Sequence, residues 1–149
     1  MSVDRRFVDE NSKARARLKD LVARLSDADL ARPMPAGWTV AGVLGHVAFW
    51  DQRTLILLEA WERTGSAPPG LRAEDVDWIN DAGKPFFLAL PPRQGADVAL
   101  AIAEAVDRKI EALADDVVTR IAAAGNPINL HRAEHRREHL AEMEATLRR

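Results

Sequence analysis

The chain has 149 residues with 23 acidic and 21 basic side chains, so its formal net charge is −2. This length predicts a single domain over residues 1–149, and a hydrophobic content of 47% is typical of globular proteins. The absence of cysteine excludes disulfide scaffolds, zinc ribbons and cysteine nucleophiles. The nearly balanced charge gives no reason to expect a nucleic-acid partner.

The pattern of charges predicts neither a secretory signal nor a membrane span. Residues 1–10 carry several acidic and basic side chains and contain no apolar run. The most apolar stretch, Val40–Trp61, is interrupted by His46, Asp51 and Arg53, which makes it too polar to cross a bilayer. We therefore expect a cytoplasmic protein without a membrane partner.

Apolar residues at helical spacing predict a first helix from Asp4 to Leu25. Its apolar stripe consists of residues three, four or seven positions apart, namely Phe7, Ala14, Leu18, Leu21 and Leu25. Residues 26–29 offer caps for a short turn, and Pro33 and Pro35 then interrupt the helical pattern.

The second predicted helix has a clear beginning and end. Thr39 is suited to cap its first turn, and Trp38 can pack on Val43 as a hydrophobic staple. The apolar pattern continues until Gly65, which is followed by the loop sequence at 66–70. This loop is long enough for a crossover between helices that are not adjacent.

The central part of the chain contains three further helical patterns. One covers Ala73–Asn80, and Gly83 and Pro85 leave its continuation open. A stronger pattern predicts a helix from Gly95 to Leu113, and a shorter one follows from Asp115 to Ala124.

The last predicted helix extends from Ile128 to Leu147, with Asn126 as its cap and Pro127 in its first turn. No segment has the alternating pattern of a strand, and no hairpin turn sequence is present. The sequence therefore predicts an all-α fold with four main helices in a bundle and a long connection after the second helix.

The four histidines are concentrated on two of these helices. His46 lies on the second helix, whereas His131, His135 and His139 lie four residues apart on the last. Residues at this spacing share a helix face, so an adjacent pair can bind one metal ion together with a histidine from a facing helix. Three protein ligands with an open position are typical of catalytic metal sites.

Helical geometry selects among these histidines. The apolar stripe of the last helix consists of Ala133, Leu140, Met143 and Leu147. At about 100° per residue, His139 lies about 80°, His135 about 120° and His131 about 160° from its centre. We therefore predict a metal site at His46, His135 and His139, with His131 nearest to solvent. The alternative is a charged surface on which the histidines are only spacers.

Three further residues of the second helix are candidates for a role near this site. Arg53 could bind a substrate carboxylate, and Trp50 could line the pocket, although a surface arginine and a core tryptophan are the alternatives. Asp51 lies near the centre of the apolar stripe. It could orient a ligand histidine or pair with Arg15 or Arg17 of the first helix.

Three blocks of the sequence resemble the DinB/YfiT-like superfamily, which includes the N-terminal domain of mycothiol-dependent maleylpyruvate isomerase. The first block contains GWTV at 37–40, VLGHV at 43–47 and WD at 50–51. The second is DWIN at 77–80, and the third is the closing pair His135 and His139. The residues after His139 differ from the family pattern, since Leu-Ala-Glu stands where Arg-Gly-Gln is frequent.

The resemblance implies a four-helix bundle that holds a divalent metal, zinc or nickel, on His46, His135 and His139. It also implies a metal-dependent transferase or hydrolase, in particular a thiol-dependent S-transferase or isomerase that acts on small electrophilic molecules. The chain has no cysteine, so the thiol would be a low-molecular-weight cofactor from outside. The alternative function is a non-catalytic bundle or homodimer, or a small-ligand-binding stress protein, that keeps the histidines as a vestigial or structural site.

Overall fold

The computed structural model describes residues 3–149, and this part of the chain is mostly helical. The predicted all-α class is confirmed. No helix in this range combines the length and the apolar character needed to cross a membrane. The seven α-helices within it are α1 (Arg6–Arg24), α2 (Asp27–Leu30), α3 (Val40–Thr64), α4 (Ala73–Ala89), α5 (Pro92–Glu111), α6 (Asp115–Ala123) and α7 (Ala133–Leu147).

The expectation that the chain forms no strand is wrong at one place. Pro33–Met34 (β1) pairs antiparallel with Trp38–Thr39 (β2) across the 3₁₀ turn Pro35–Gly37. Ala36 has a φ of 61° and Gly37 a φ of 78°, and this left-handed backbone turns the chain sharply. Each strand has only two residues, so no alternating pattern could reveal it.

Helix α3 has the caps that the sequence predicts. The Thr39 hydroxyl accepts a hydrogen bond from the Gly42 N–H at 3.0 Å, and Gly65 ends the helix with a φ of 70°. The small residues of α3 let α4 approach closely, because a Cβ on Gly45 would lie only 3.2 Å from Phe87 Cβ. Helix α4 therefore packs against the part of α3 that carries His46.

Helix α4 is longer than its predicted core, since it continues through Gly83 and Pro85 to Ala89. A Cβ on Gly83 would lie 2.8 Å from the ring of Phe87, so glycine at this position leaves room for that ring. No residue of α4 is buried, although Trp78 and Phe86 are large and apolar. The helix thus covers α3 with one face and leaves several apolar side chains exposed.

The predicted start of the last helix at Ile128 is wrong, because α7 begins at Ala133. Asn126 has a φ of 53° and therefore lies outside any helix. Ile128 and Leu130 are buried in a non-helical segment, which the Asn11 side chain holds by donating to the Leu130 carbonyl at 2.8 Å. Its Oδ1 also accepts from the Ala133 N–H at 2.9 Å, so a residue of α1 caps α7.

The interior consists of two apolar clusters separated by a polar layer. One cluster includes Leu18, Leu44 and Leu140, and the other includes Ile110 and Ile121. The polar residues of the layer are at most 1% exposed and come from four helices: Asn11, Asp51, Asp107 and Arg136. Such a layer is stable only if its charges and donors are paired.

Arg136 is the centre of the polar layer and has no exposed surface. Its Nη1 and Nη2 each donate to an oxygen of Asp107 at 2.9 Å. Its Nε and Nη2 donate to Asp51 Oδ2 at 3.2 and 3.1 Å, and Nη1 also donates to the Asn11 carbonyl at 3.1 Å. Every nitrogen of the guanidinium group is therefore hydrogen-bonded, and α7 is joined to α1, α3 and α5.

Asp51 is internal, as its place in the apolar stripe predicts, but its predicted partners are wrong. It binds Arg136 and also accepts from Arg132 Nε at 2.8 Å. Arg15 instead contacts Asp107 at 3.4 Å, and Arg17 contacts Glu144 at 3.4 Å. In the described residues, no hydrogen bond joins Asp51 to a histidine.

Replacement of Arg136 by methionine tests the polar layer. The variant keeps a long side chain but removes the charge shared by two buried carboxylates, so we expect the free energy of unfolding to fall by about 3–5 kcal/mol in urea denaturation. Arg137→Met is the matched control, because Arg137 is next on the same helix and its side chain is 43% exposed. It should change stability by less than about 0.5 kcal/mol. Equal losses of stability in the two variants would contradict the stabilising role of the polar layer.

Candidate metal centre

Three histidines from two helices meet beside the polar layer. His46 lies on α3, and His135 and His139 lie one turn apart on α7. The Nε2 atom of His135 is 3.1 Å from that of His46 and 3.1 Å from that of His139. Potential ligand atoms of all three rings lie within 4.8 Å of one another. The structure thus brings together the three residues selected from helical angles.

The arrangement of these nitrogens fits a metal ion. Two nitrogens bound to tetrahedral zinc at about 2.0–2.1 Å lie about 3.4 Å apart, close to the two separations of 3.1 Å at His135. A hydrogen-bonded cluster fits less well, because one ring nitrogen of His135 approaches two others. A single neutral ring nitrogen carries either one proton or one lone pair, so it cannot satisfy both neighbours. A cation shared by the three rings can accept a lone pair from each of them.

The surroundings of the histidines favour neutral rings. Burial, with a contribution from His139, lowers the pKa of His46 to about 4. Burial is also the main cause that lowers the pKa of His135 to about 2. The nearby basic side chains contribute to the same decrease, namely His139, His46, Arg132 and Arg136. Neutral imidazole is the form that binds a metal, so both rings offer a lone pair at neutral pH without losing a proton.

A carboxylate of α7 orients one of the three rings. Glu142 Oε2 lies 3.0 Å from Nδ1 of His139, which leaves Nε2 of that ring directed at the cluster. This carboxylate–histidine pair is a common support for a metal ligand. The Nδ1 atoms of His46 and His135 are buried and have no hydrogen-bond partner among residues 3–149.

The three histidines line a cavity of about 790 Å³. Trp38 and Trp50 contribute aromatic surface, and the Trp38 ring centroid is 5.8 Å from that of His46. The remaining lining is mostly polar and comes from α3, α4, the segment before α7 and α7 itself, namely Val43, Val76, Asp77, Asn80, Asp81, Asn129, Arg132, Glu138 and Glu142. A small molecule can therefore reach the candidate metal centre.

The two residues proposed for substrate binding occupy different positions. Trp50 lines the cavity, and its indole N–H donates to Asn80 Oδ1 at 2.8 Å. Arg53 is not among the lining residues, and its guanidinium carbon lies 5.6 Å from the centre of the Trp50 ring. Burial lowers the pKa of Arg53, and the charge of Arg132 acts in the same direction.

His131 lies outside the cluster. It precedes α7, its side chain is 32% exposed, and its ring contacts Glu10 and Glu134. It lines a second cavity of about 850 Å³, which is bordered mainly by apolar residues such as Phe7 and Ile128. This second cavity is lined by none of the three clustered histidines. The candidate metal centre therefore borders the first cavity alone.

Arg132 is the main residue of the site that sequence analysis did not identify. It is 5% exposed and lines the cavity, although its sequence context resembles a charged surface. The available signal was Asp51, a carboxylate in an apolar stripe that required a basic partner. Since several arginines were available, spacing along the chain could not select Arg132.

The fold and the site together define a helical protein with a three-histidine candidate metal centre. A family model, the mycothiol maleylpyruvate isomerase N-terminal domain, matches residues 12–145. The chain therefore belongs to this family, which is part of the DinB/YfiT-like superfamily. This confirms the resemblance found in the sequence. Neither the curated proteins nor the solved structures contain a match to the chain.

Removal of the Glu142 carboxylate tests its role as a support for His139. We expect Glu142→Ala to lower zinc affinity by about 10–100-fold in competition with a chelator, because the ring loses its orienting partner. Glu138→Ala is the matched control, since it removes the same charge from the same cavity and α7. It should have a clearly smaller effect. Equal losses in the two variants would mean that only the overall charge matters.

Proposed function

We propose that the chain is a divalent-metal-dependent enzyme of the DinB-like superfamily that acts on a small electrophilic molecule. The observation that carries the proposal is the approach of three Nε2 atoms to one another at the wall of an accessible cavity. Family membership supports it, since the family model covers residues 12–145 and the three histidines lie in the blocks that resemble the superfamily. The substrate would occupy the space between the histidines and Trp50.

Each residue of the trio has a defined task in this proposal. His46, His135 and His139 would hold the ion through Nε2, and Glu142 would keep His139 in its orientation. Zinc and nickel are the proposed ions, because imidazole suits both. When bound, the ion supplies Lewis acidity and lowers the pKa of a bound water or thiol. Three protein ligands leave coordination positions for that group.

The proposed chemistry is a thiol-dependent S-transfer or isomerisation. The chain contains no cysteine, so the sulfur nucleophile would be a low-molecular-weight thiol from outside. The two tryptophans of the cavity offer apolar surface for the thiol or the substrate. Arg53, stacked on Trp50, stays a proposed partner for a substrate carboxylate.

The finer architecture and the location belong to the same proposal. We propose that α1, α3, α5 and α7 form a four-helix bundle, with α4 in the long connection after α3. Contacts of α1 with α5 and α7, and of α3 with α5 and α7, support this arrangement. A cytoplasmic location fits the reducing environment that keeps small thiols available.

Metal analysis of the protein purified without a histidine tag tests the site. We expect about one equivalent of zinc or nickel after reconstitution and none in His46→Ala or His135→Ala, because each variant removes a ligand. His131→Ala is the matched control, since it removes a histidine that lies outside the trio. It should retain full metal content. Wild-type protein that binds no stoichiometric metal would overturn the proposed function.

The second candidate function is a non-catalytic homodimer or small-ligand-binding protein with a vestigial or structural histidine site. The exposed apolar side chains of α4 favour it, since Trp78 is 60% and Phe86 is 74% exposed. If α4 forms a dimer interface, Phe86→Glu should convert a dimer into a monomer in sedimentation experiments. Ile56→Glu, a 50% exposed position on α3, is the control. A wild-type monomer would contradict the homodimer.

A further inference from the structure

We propose that Arg132 binds a carboxylate group of the substrate beside the three histidines, and that the substrate carries this single negative charge. The inference names the substrate class of the site described above and so builds on the proposed function. It assigns carboxylate recognition to a residue of the segment before α7, whereas the sequence alone suggested Arg53 of α3.

The first support is the position of the Arg132 guanidinium. The residue is 5% exposed and lines the cavity, so it is buried in the protein yet borders the space that a ligand would occupy. Its Nε donates to Asp51 Oδ1 at 2.8 Å, which fixes the plane of the group. Among residues 3–149, no acceptor is found for its Nη1 or Nη2. These N–H groups are therefore available to a ligand.

The second support is the way in which Asp51 is shared. Asp51 accepts hydrogen bonds from both Arg132 and Arg136, and Arg136 is also paired with Asp107. Arg132 therefore has only a share of one carboxylate, and it lines the cavity whereas Arg136 does not.

The chemistry of the group matches a carboxylate. A guanidinium presents parallel N–H donors to two oxygens of one anion, and such charge-assisted pairs are among the strongest hydrogen bonds in proteins. Arg132 also stands immediately before the first residue of the 15-residue helix α7. The positive end of the helix dipole adds to the attraction.

The mouth of the cavity indicates that the rest of the ligand is not negatively charged. Four exposed carboxylates line it in two pairs, Asp77 and Asp81 on α4 and Glu138 and Glu142 on α7. A second carboxylate on the ligand would approach these groups and be repelled. The aromatic surfaces of Trp38 and Trp50 instead suit an apolar body. The structure therefore favours a small apolar monocarboxylate.

Benzoate, its neutral isostere benzamide and the dianion terephthalate are suitable probes. We expect NMR titrations of the zinc-loaded and the chelator-treated wild-type protein to give at least about tenfold tighter binding of benzoate than of benzamide. In the chelator-treated protein, Arg132→Gln should lose this preference and Arg132→Lys should keep only part of it, because lysine retains the charge without the paired N–H donors of a guanidinium group. Terephthalate should bind more weakly than benzoate.

Several variants make the test decisive. Thermal unfolding identifies which Arg132 variants are folded. Arg132→Lys keeps a charge beside Asp51, so it preserves the test if the glutamine variant fails to fold. Arg137→Gln on the exposed face should bind benzoate as the wild type does. The inference is overturned if benzoate binds equally to chelator-treated wild-type protein and folded Arg132 variants, if Arg53→Gln alone abolishes the preference, or if terephthalate binds as tightly as benzoate.

The metal content of the same samples separates this inference from the proposed function. Stoichiometric metal together with benzoate binding that does not depend on Arg132 would overturn only the inference. Arg132-dependent benzoate binding in a protein that takes up no metal would support the inference and overturn the proposed metal-dependent activity. The titrations of chelator-treated protein measure the contribution of Arg132 to benzoate binding without that of a metal, since a carboxylate can also bind directly to an ion.

Discussion

The ion pairs of Arg136 with Asp51 and Asp107 constrain the rest of the molecule. Removal of three charged groups from water is unfavourable unless each finds partners at good geometry, and here every guanidinium nitrogen is hydrogen-bonded. That geometry is possible only when α3, α5 and α7 meet in one register. Apolar packing alone would tolerate small shifts between these helices, whereas the hydrogen bonds do not.

This register also determines the candidate metal centre. His135 is the neighbour of Arg136 on α7, and His46 lies on the same helix as Asp51. The contact that aligns the two helices therefore also brings their imidazole nitrogens to 3.1 Å. Arg132 connects the two features, because it binds the same Asp51 and borders the cavity. The stability of the fold and the geometry of the site depend on one set of side chains.

Local sequence patterns predicted the features that depend on local physics. The caps of α3 and the shared face of His135 and His139 follow from spacing, so both could be anticipated. The start of α7 and the burial of Arg136 could not. They depend on partners far away in sequence, Asn11 and Asp51, and a single arginine-rich stretch is equally compatible with a solvated surface.

The dependence of Asp51 and Asp107 on Arg136 has a consequence for synthesis of the chain. Helices α3 and α5 leave the ribosome before α7, so for a time their carboxylates have no Arg136 to receive them. Burial of these charges without that partner is unfavourable, so we expect the helices of the nascent chain to associate stably only after α7 has emerged. Closure of the interior and assembly of the histidine cluster would then be one late event.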